Sequence, residues 1–147
     1  MCSMAGRVLV VDDARVIRDL LSDLLEEEGY QVILASNGNE ALGLAEKENP
    51  QAILLDINMP GINGVEVCKR LREGESTRSV PIIMMTALRD HKTKAFEARA
   101  DDFVNKPFDP GDLLVRVKSI LRVGHLTDPV ERMTAYREEL ERNHLKQ

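Results

Sequence analysis

The chain has 147 residues, enough for one domain with a full core and too few for two ordinary ones. Its net charge of −5 argues against direct nucleic-acid binding, which calls for clustered Lys and Arg in excess. No apolar run approaches the ~20 residues that cross a bilayer, and MCSMAGR lacks the apolar stretch of a signal peptide, so a cytoplasmic protein without membrane attachment is expected.

Arg7 to Val11 is a short Val-rich run, the pattern of a strand buried on both faces of a parallel sheet. ARVIRDLLSDLLEEEG follows, with Ile17, Leu20, Leu21, Leu24 and Leu25 at helical spacing and Gly29 as terminator. YQVILA is a second strand, and NGNEALGLAEKENP a second helix opened by Asn37 and Gly38 and stopped before Pro50. AILLD is a third strand ending in Asp56, and the loop NMPGING leads into a helix from about Val65 to Arg72. VPIIMMTA is the fourth strand, ending at Thr86, with Met84 and Met85 as core. RDHKTKAFEARA is a short polar fourth helix, DDFVNKPF the fifth strand with its exit, and DPGDLLVRVKSILR the fifth helix, capped by Asp109. Five strand–helix alternations predict an α/β fold, a doubly wound (βα)5 arrangement around a five-stranded parallel sheet. The domain is expected over 1–124. Residues 125–147, polar and rich in Glu and Arg, are expected to form a helical tail or linker outside it.

Functional groups of an open parallel sheet gather outside the carboxyl ends of its strands. Here those ends carry Asp12 and Asp13, Asp56, Thr86 and Lys106, each after an apolar run. One aspartate after the first strand could cap the following helix. A second leaves two adjacent negative charges whose desolvation and repulsion call for a cation. With Asp56 the set becomes a site for a hard divalent ion. Magnesium suits oxygen-only ligands that leave positions for water and a phosphate. Three acids, a hydroxyl and an ammonium are the parts of phosphoryl transfer to a carboxylate, with Lys106 neutralising phosphoryl oxygens and Thr86 donating a hydrogen bond to one. Cys2 and Cys68 read as free thiols rather than a disulfide or metal pair, and His91, His125 and His144 as surface residues.

The segments VLVVDD, ILLDINMPGINGVEV, PIIMMTA and DDFVNKPF resemble those of receiver domains in two-component response regulators, over roughly Arg7 to Arg122. That resemblance implies a flavodoxin-like sheet, Asp56 as phosphoacceptor, Asp12 and Asp13 as magnesium ligands, and the carbonyl of Asn58 as a further ligand. It also implies Thr86 and Phe103 as a switch pair, Lys106 on the phosphate, and a cis bond to Pro107. A histidine kinase or phosphotransfer protein is the implied partner. The domain would be a regulator with self-phosphorylation and self-dephosphorylation chemistry, not an enzyme. Asn58 and Ala87 would leave the phosphorylated carboxylate open to water and the phosphorylated state short-lived. Arg99 stands where many relatives have Gly in a left-handed helix cap, and Phe103 where many have Tyr.

Lys92, Asp101, Asp102, Asp112 and Arg116 are expected on the face of the fourth helix, fifth strand and fifth helix, an output surface that would support a homodimer. The alternative for these charges is plain solvation. A flavin carrier would need a phosphate loop where DDAR stands, and a phosphatase of the haloacid dehalogenase type, the other aspartyl-phosphate chemistry, would need Asp where Asn58 stands. The chain is expected to be either a stand-alone receiver or the first part of a larger regulator. In the tail, Asp128 and Pro129 are a helix start. Val130, Met133 and Leu140 fall at heptad spacing interrupted by Arg137 and His144. That leaves a choice between a solvated extension and a signalling helix that transmits the state of Asp56.

Overall fold

The computed structural model describes residues 6–86 and 97–145, with side chains through 143. Cys2, Ala87, His91, Lys92 and most of the fourth predicted helix lie outside the described residues, as does the side chain of His144. Five strands, β1 (Arg7–Val11), β2 (Gln31–Ala35), β3 (Ala52–Asp56), β4 (Ile82–Thr86) and β5 (Asp102–Asn105), form one parallel sheet in the order β2-β1-β3-β4-β5. The described helices are α1 (Arg15–Glu27), α2 (Gly38–Glu48), α3 (Gly64–Glu73), α4 (Pro110–Val123) and α5 (Pro129–Leu145). The fifth helix of the sequence pattern is thus α4, and the tail contains α5.

Alternation along the strands divides the core in two. Leu9, Val11, Ile53, Leu55, Ile82, Met84 and Phe103 face α2 and α3, where Ala41, Ala45, Val67 and Leu71 meet them. Val8, Val10, Leu54, Ile83, Met85 and Val104 face the other way, toward Leu21 and Leu25 of α1 and Leu113, Val117 and Ile120 of α4. Both faces of β3 and β4 are buried over their whole length, which is why those runs show no polar alternation. Each large aliphatic side chain buried there contributes about 1.5–3 kcal/mol.

Helix starts follow local chemistry. Asn37 and Asn63 accept from Glu40 N and Glu66 N, and Asp109 from Asp112 N, each satisfying a first-turn donor. At α1 the cap differs from the sequence expectation. The N-cap is Ala14, with no side-chain cap, and Asp12 Oδ1 instead accepts the Ala14 N–H at 2.9 Å. Neither aspartate is spent on the helix in the ordinary way. Arg99 takes φ +70°, the left-handed conformation expected of this position.

The tail helix does not extend into solvent. Asp128 caps α5, accepting from Glu131 N at 2.9 Å through its side chain. The helix then lies against α4 and the β5 edge with Arg132 and Tyr136 buried. Val130, the first of the three apolar residues at heptad spacing, is 74% exposed. Leu140 does pack against the core, but beside Tyr136 rather than in a heptad seam.

Candidate functional site

Register brings the polar strand ends together. Val11 pairs with Leu55, so Asp12 follows β1 beside Asp56, the last residue of β3. Asp56 pairs with Met85, which places Thr86 one step further along β4, and Thr86 pairs with Asn105, so Lys106 leaves β5 at the same edge. One carboxylate oxygen from each of Asp12, Asp13 and Asp56 lies within 4.8 Å of the others. Asp12, Asp56 and Thr86 are buried and Asp13 is exposed, which leaves the cluster open on one side.

Lys106 answers part of this charge. Its Nζ donates to Asp12 Oδ2 at 2.5 Å and lies 3.3 Å from Asp56 Oδ1, bridging the two buried acids. Burial raises the pKa of Asp56, the Asp12 carboxylate raises it further, and Lys106 pulls it back, leaving it at about 6. For Lys106 burial works against the charge, but hydrogen bonding to Asp12 and the field of both carboxylates outweigh it, and the net shift is upward. Among the described residues three carboxylates meet one ammonium here, a negative balance. The donor set is oxygen only, which fits magnesium better than zinc.

The loop after β3 holds Asp56 in place through backbone contacts. Ile57 N donates to Met85 O at 3.0 Å and Gly64 N to Ile57 O at 2.9 Å. A Cβ on Gly64 would come 2.3 Å from Asp56 O and 2.8 Å from Ile57 Cα, so only glycine lets α3 start this close to the site. Gly61, at φ +79°, supplies the turn within the loop. Asn58 is exposed, and its Nδ2 donates to Thr86 Oγ1 at 3.0 Å, tying the loop to β4. Nothing in the spacing of the sequence announced that bond. Phe103 is buried opposite Met84, and the Lys106–Pro107 bond is cis.

The charges expected on one output surface are placed unequally. Arg116 pairs with Asp112 at 2.9 Å and with Asp102 at 2.5 Å. Asp101 is held by Arg72 at 3.0 Å and by Arg132 at 2.9 Å, while Asp102 also accepts the Tyr136 hydroxyl. Arg72, Arg132 and Tyr136 were not singled out from the sequence. A buried cation and a phenol on polar helices carry no apolar period, and only the acids they meet reveal them.

With this geometry in hand, the family model described as response regulator receiver domain matches residues 8–118. The chain belongs to the response regulator receiver family. Among curated relatives it is 44% identical over 132 residues to the alkaline phosphatase synthesis transcriptional regulatory protein PhoP of Bacillus subtilis, covering 88% of this chain and 54% of the relative. It is 45% identical over 118 residues to the transcriptional regulatory protein ResD of the same species, covering 79% and 48%. The receiver thus spans about half the length of the curated relatives it matches. Among solved structures, the response regulator TrrA of Thermotoga maritima, in complex with Mg(2+)-BeF, matches with TM-score 0.71 and 40% identity, over 77% of this chain and 96% of that one. The fold is the parallel, flavodoxin-like receiver fold expected, and its place is in two-component signalling. Among the described residues no helix is long and apolar enough to cross a membrane.

Proposed function

We propose that this receiver takes a phosphoryl group on Asp56 from the phosphorylated histidine of a kinase or phosphotransfer protein and changes its surface in response. The observation that carries the reading is the grouping of Asp12, Asp13 and Asp56 within 4.8 Å, bridged by Lys106, at the carboxyl edge of the sheet. An oxygen of Asp56 attacks phosphorus, the bond from phosphorus to the donor nitrogen breaks, and the electron pair leaves with the imidazole.

Asp12, Asp13, Asp56 and the carbonyl of Asn58 would hold magnesium, which supplies positive charge to the phosphoryl oxygens when bound. Lys106 is the protein's own counter-charge. Its ammonium already reaches Asp56 and needs only to exchange one carboxylate oxygen for a phosphoryl oxygen. Thr86 Oγ1, held by Asn58 at 3.0 Å, sits where a hydroxyl can donate to the same group, and Phe103 lies behind it on β5. Asp13, the exposed acid, keeps the mouth of the site attractive to a cation. The same open mouth admits the water that later hydrolyses the acyl phosphate.

Incubation with acetyl phosphate or phosphoramidate and magnesium, followed by intact mass, tests the reading. One added phosphoryl group is expected, suppressed by a chelator, because the carboxylates repel an anionic donor. No addition, or addition indifferent to the metal, overturns it.

A further inference from the structure

The β5–α4 face of this receiver is already occupied. Arg132 of α5, 6% exposed, forks onto Asp101, with Nε to Oδ1 at 2.9 Å and Nη2 to Oδ2 at 3.1 Å, and its Nη1 donates to Ser79 O and Leu126 O. One turn on, the Tyr136 hydroxyl donates to Asp102, and further along Asn143 Nδ2 reaches Ser119 Oγ of α4 at 2.9 Å. Tyr136 packs in the same core cluster as Val117 and Ile120. A bidentate Arg–carboxylate pair, a buried phenol and a terminal amide define a surface that recognises a helix carrying Arg and Tyr four residues apart.

Two features make that occupant displaceable. The receiver keeps its own counter-ions when α5 leaves, since Asp101 stays with Arg72 and the Ile82 N–H, and Asp102 with Arg116. The helix is also joined to α4 only by residues 124–128, a short connection outside both helices. A third feature ties the surface to the phosphoacceptor. Asp101 and Asp102 enter β5, Phe103 lies within it, and Lys106 leaves it to bridge Asp12 and Asp56. A four-residue strand therefore has the α5 anchors at one end and the site lysine at the other.

We infer that α5 is a displaceable ligand of the β5–α4 face, docked while Asp56 is free of phosphate and loosened when a phosphoryl group there draws Lys106 away from Asp12. The coupling rests on the phosphoacceptor reading above; the docking does not. A partner helix, or α5 of a second copy, gains these acids only when the resident helix is released. Coupling between the two sites is reciprocal, so whatever factor beryllofluoride takes from α5 docking, undocking must return to beryllofluoride affinity.

Hydrogen exchange on the full chain tests this, comparing wild type with Arg132→Met/Tyr136→Phe, each with and without magnesium and beryllofluoride. In wild type without the mimic, amides over 129–143 should be protected, and the double variant should lose most of that protection while the sheet keeps its own. Beryllofluoride should lower wild-type α5 protection about 10-fold, and the double variant should bind the mimic more tightly by a similar factor. Unprotected α5 amides in unliganded wild type overturn the docking. Undiminished α5 protection with beryllofluoride bound overturns the coupling. Failure of the mimic to bind wild type at all overturns the phosphoacceptor reading and the coupling with it, and the docking is then decided by the unliganded pair.

Discussion

Replacing Asp56 by Asn should stabilise the metal-free protein. Asp56 is 3% exposed, and burial together with the neighbouring Asp12 raises its pKa from 3.8 to about 6. Between those two values the folded protein keeps a proton that the unfolded chain gives up. The contribution of Asp56 to wild-type stability therefore falls as pH rises through this window and is level above it. The shift of ~2 pKa units corresponds to an unfavourable term of about 3 kcal/mol above pH 7, shrinking to about 1 kcal/mol near pH 4.5. Asn carries no charge to desolvate, yet its Oδ1 still accepts from Lys106. Lys106 loses one ionised neighbour, so the net gain should be about 1–3 kcal/mol, or roughly 3–10 °C in Tm for a chain of this size. Urea unfolding of both proteins in chelator at pH 7.5 and 4.5 measures it. A variant no more stable than wild type at pH 7.5, or a difference that does not narrow at pH 4.5, refutes the electrostatic account of the site.

Gly64→Ala should destabilise the fold by at least ~2 kcal/mol, because the new Cβ meets Asp56 O at 2.3 Å and backbone rather than a flexible side chain must yield; urea midpoints check it, and a neutral result contradicts the packing argument. Lys106→Met removes the ammonium between Asp12 and Asp56 and should raise the pKa of Asp56 further and weaken beryllofluoride binding about 10-fold or more, read by titration. Asn58→Arg places a bulky side chain at the exposed lip of the site and should slow loss of the phosphoryl group several-fold, followed by intact mass over time; an unchanged rate removes water access as the limiting step. Arg72→Met should cost at least ~2 kcal/mol in urea unfolding, since it leaves the carbonyls of Val80 and Arg99 without their donor while Asp101 keeps Arg132 and the Ile82 N–H.

Most of the fold was readable because its cause is local. β1, β3 and β4 are continuous apolar runs, each followed at once by a polar residue, and in a parallel sheet that pattern puts the polar residues at one edge. Asp12, Asp13, Asp56, Thr86 and Lys106 were legible as a group for that reason alone. What was not legible depends on pairings between distant segments. The Asn58–Thr86 bond joins residues 28 positions apart whose side chains have no shared period. The docking of α5 was hidden for a different reason. Its buried positions are Arg132 and Tyr136, with Leu140 packed beside them, whereas Val130, the first apolar position of the heptad spacing, is exposed. A polar helix is buried here because Asp101 and Asp102 sit at the strand entrance to receive it, and acids at that place read as solvated charge until their partners are known.

The central claim concerns one carboxylate among three. Phosphorylation with acetyl phosphate and magnesium, rapid reduction of the acyl phosphate with borohydride, and mapping of the peptides by tandem mass spectrometry would identify it directly. The account predicts that the residue at 56 alone is recovered as homoserine. Recovery of homoserine at position 12 or 13, with Asp56 intact, would contradict it.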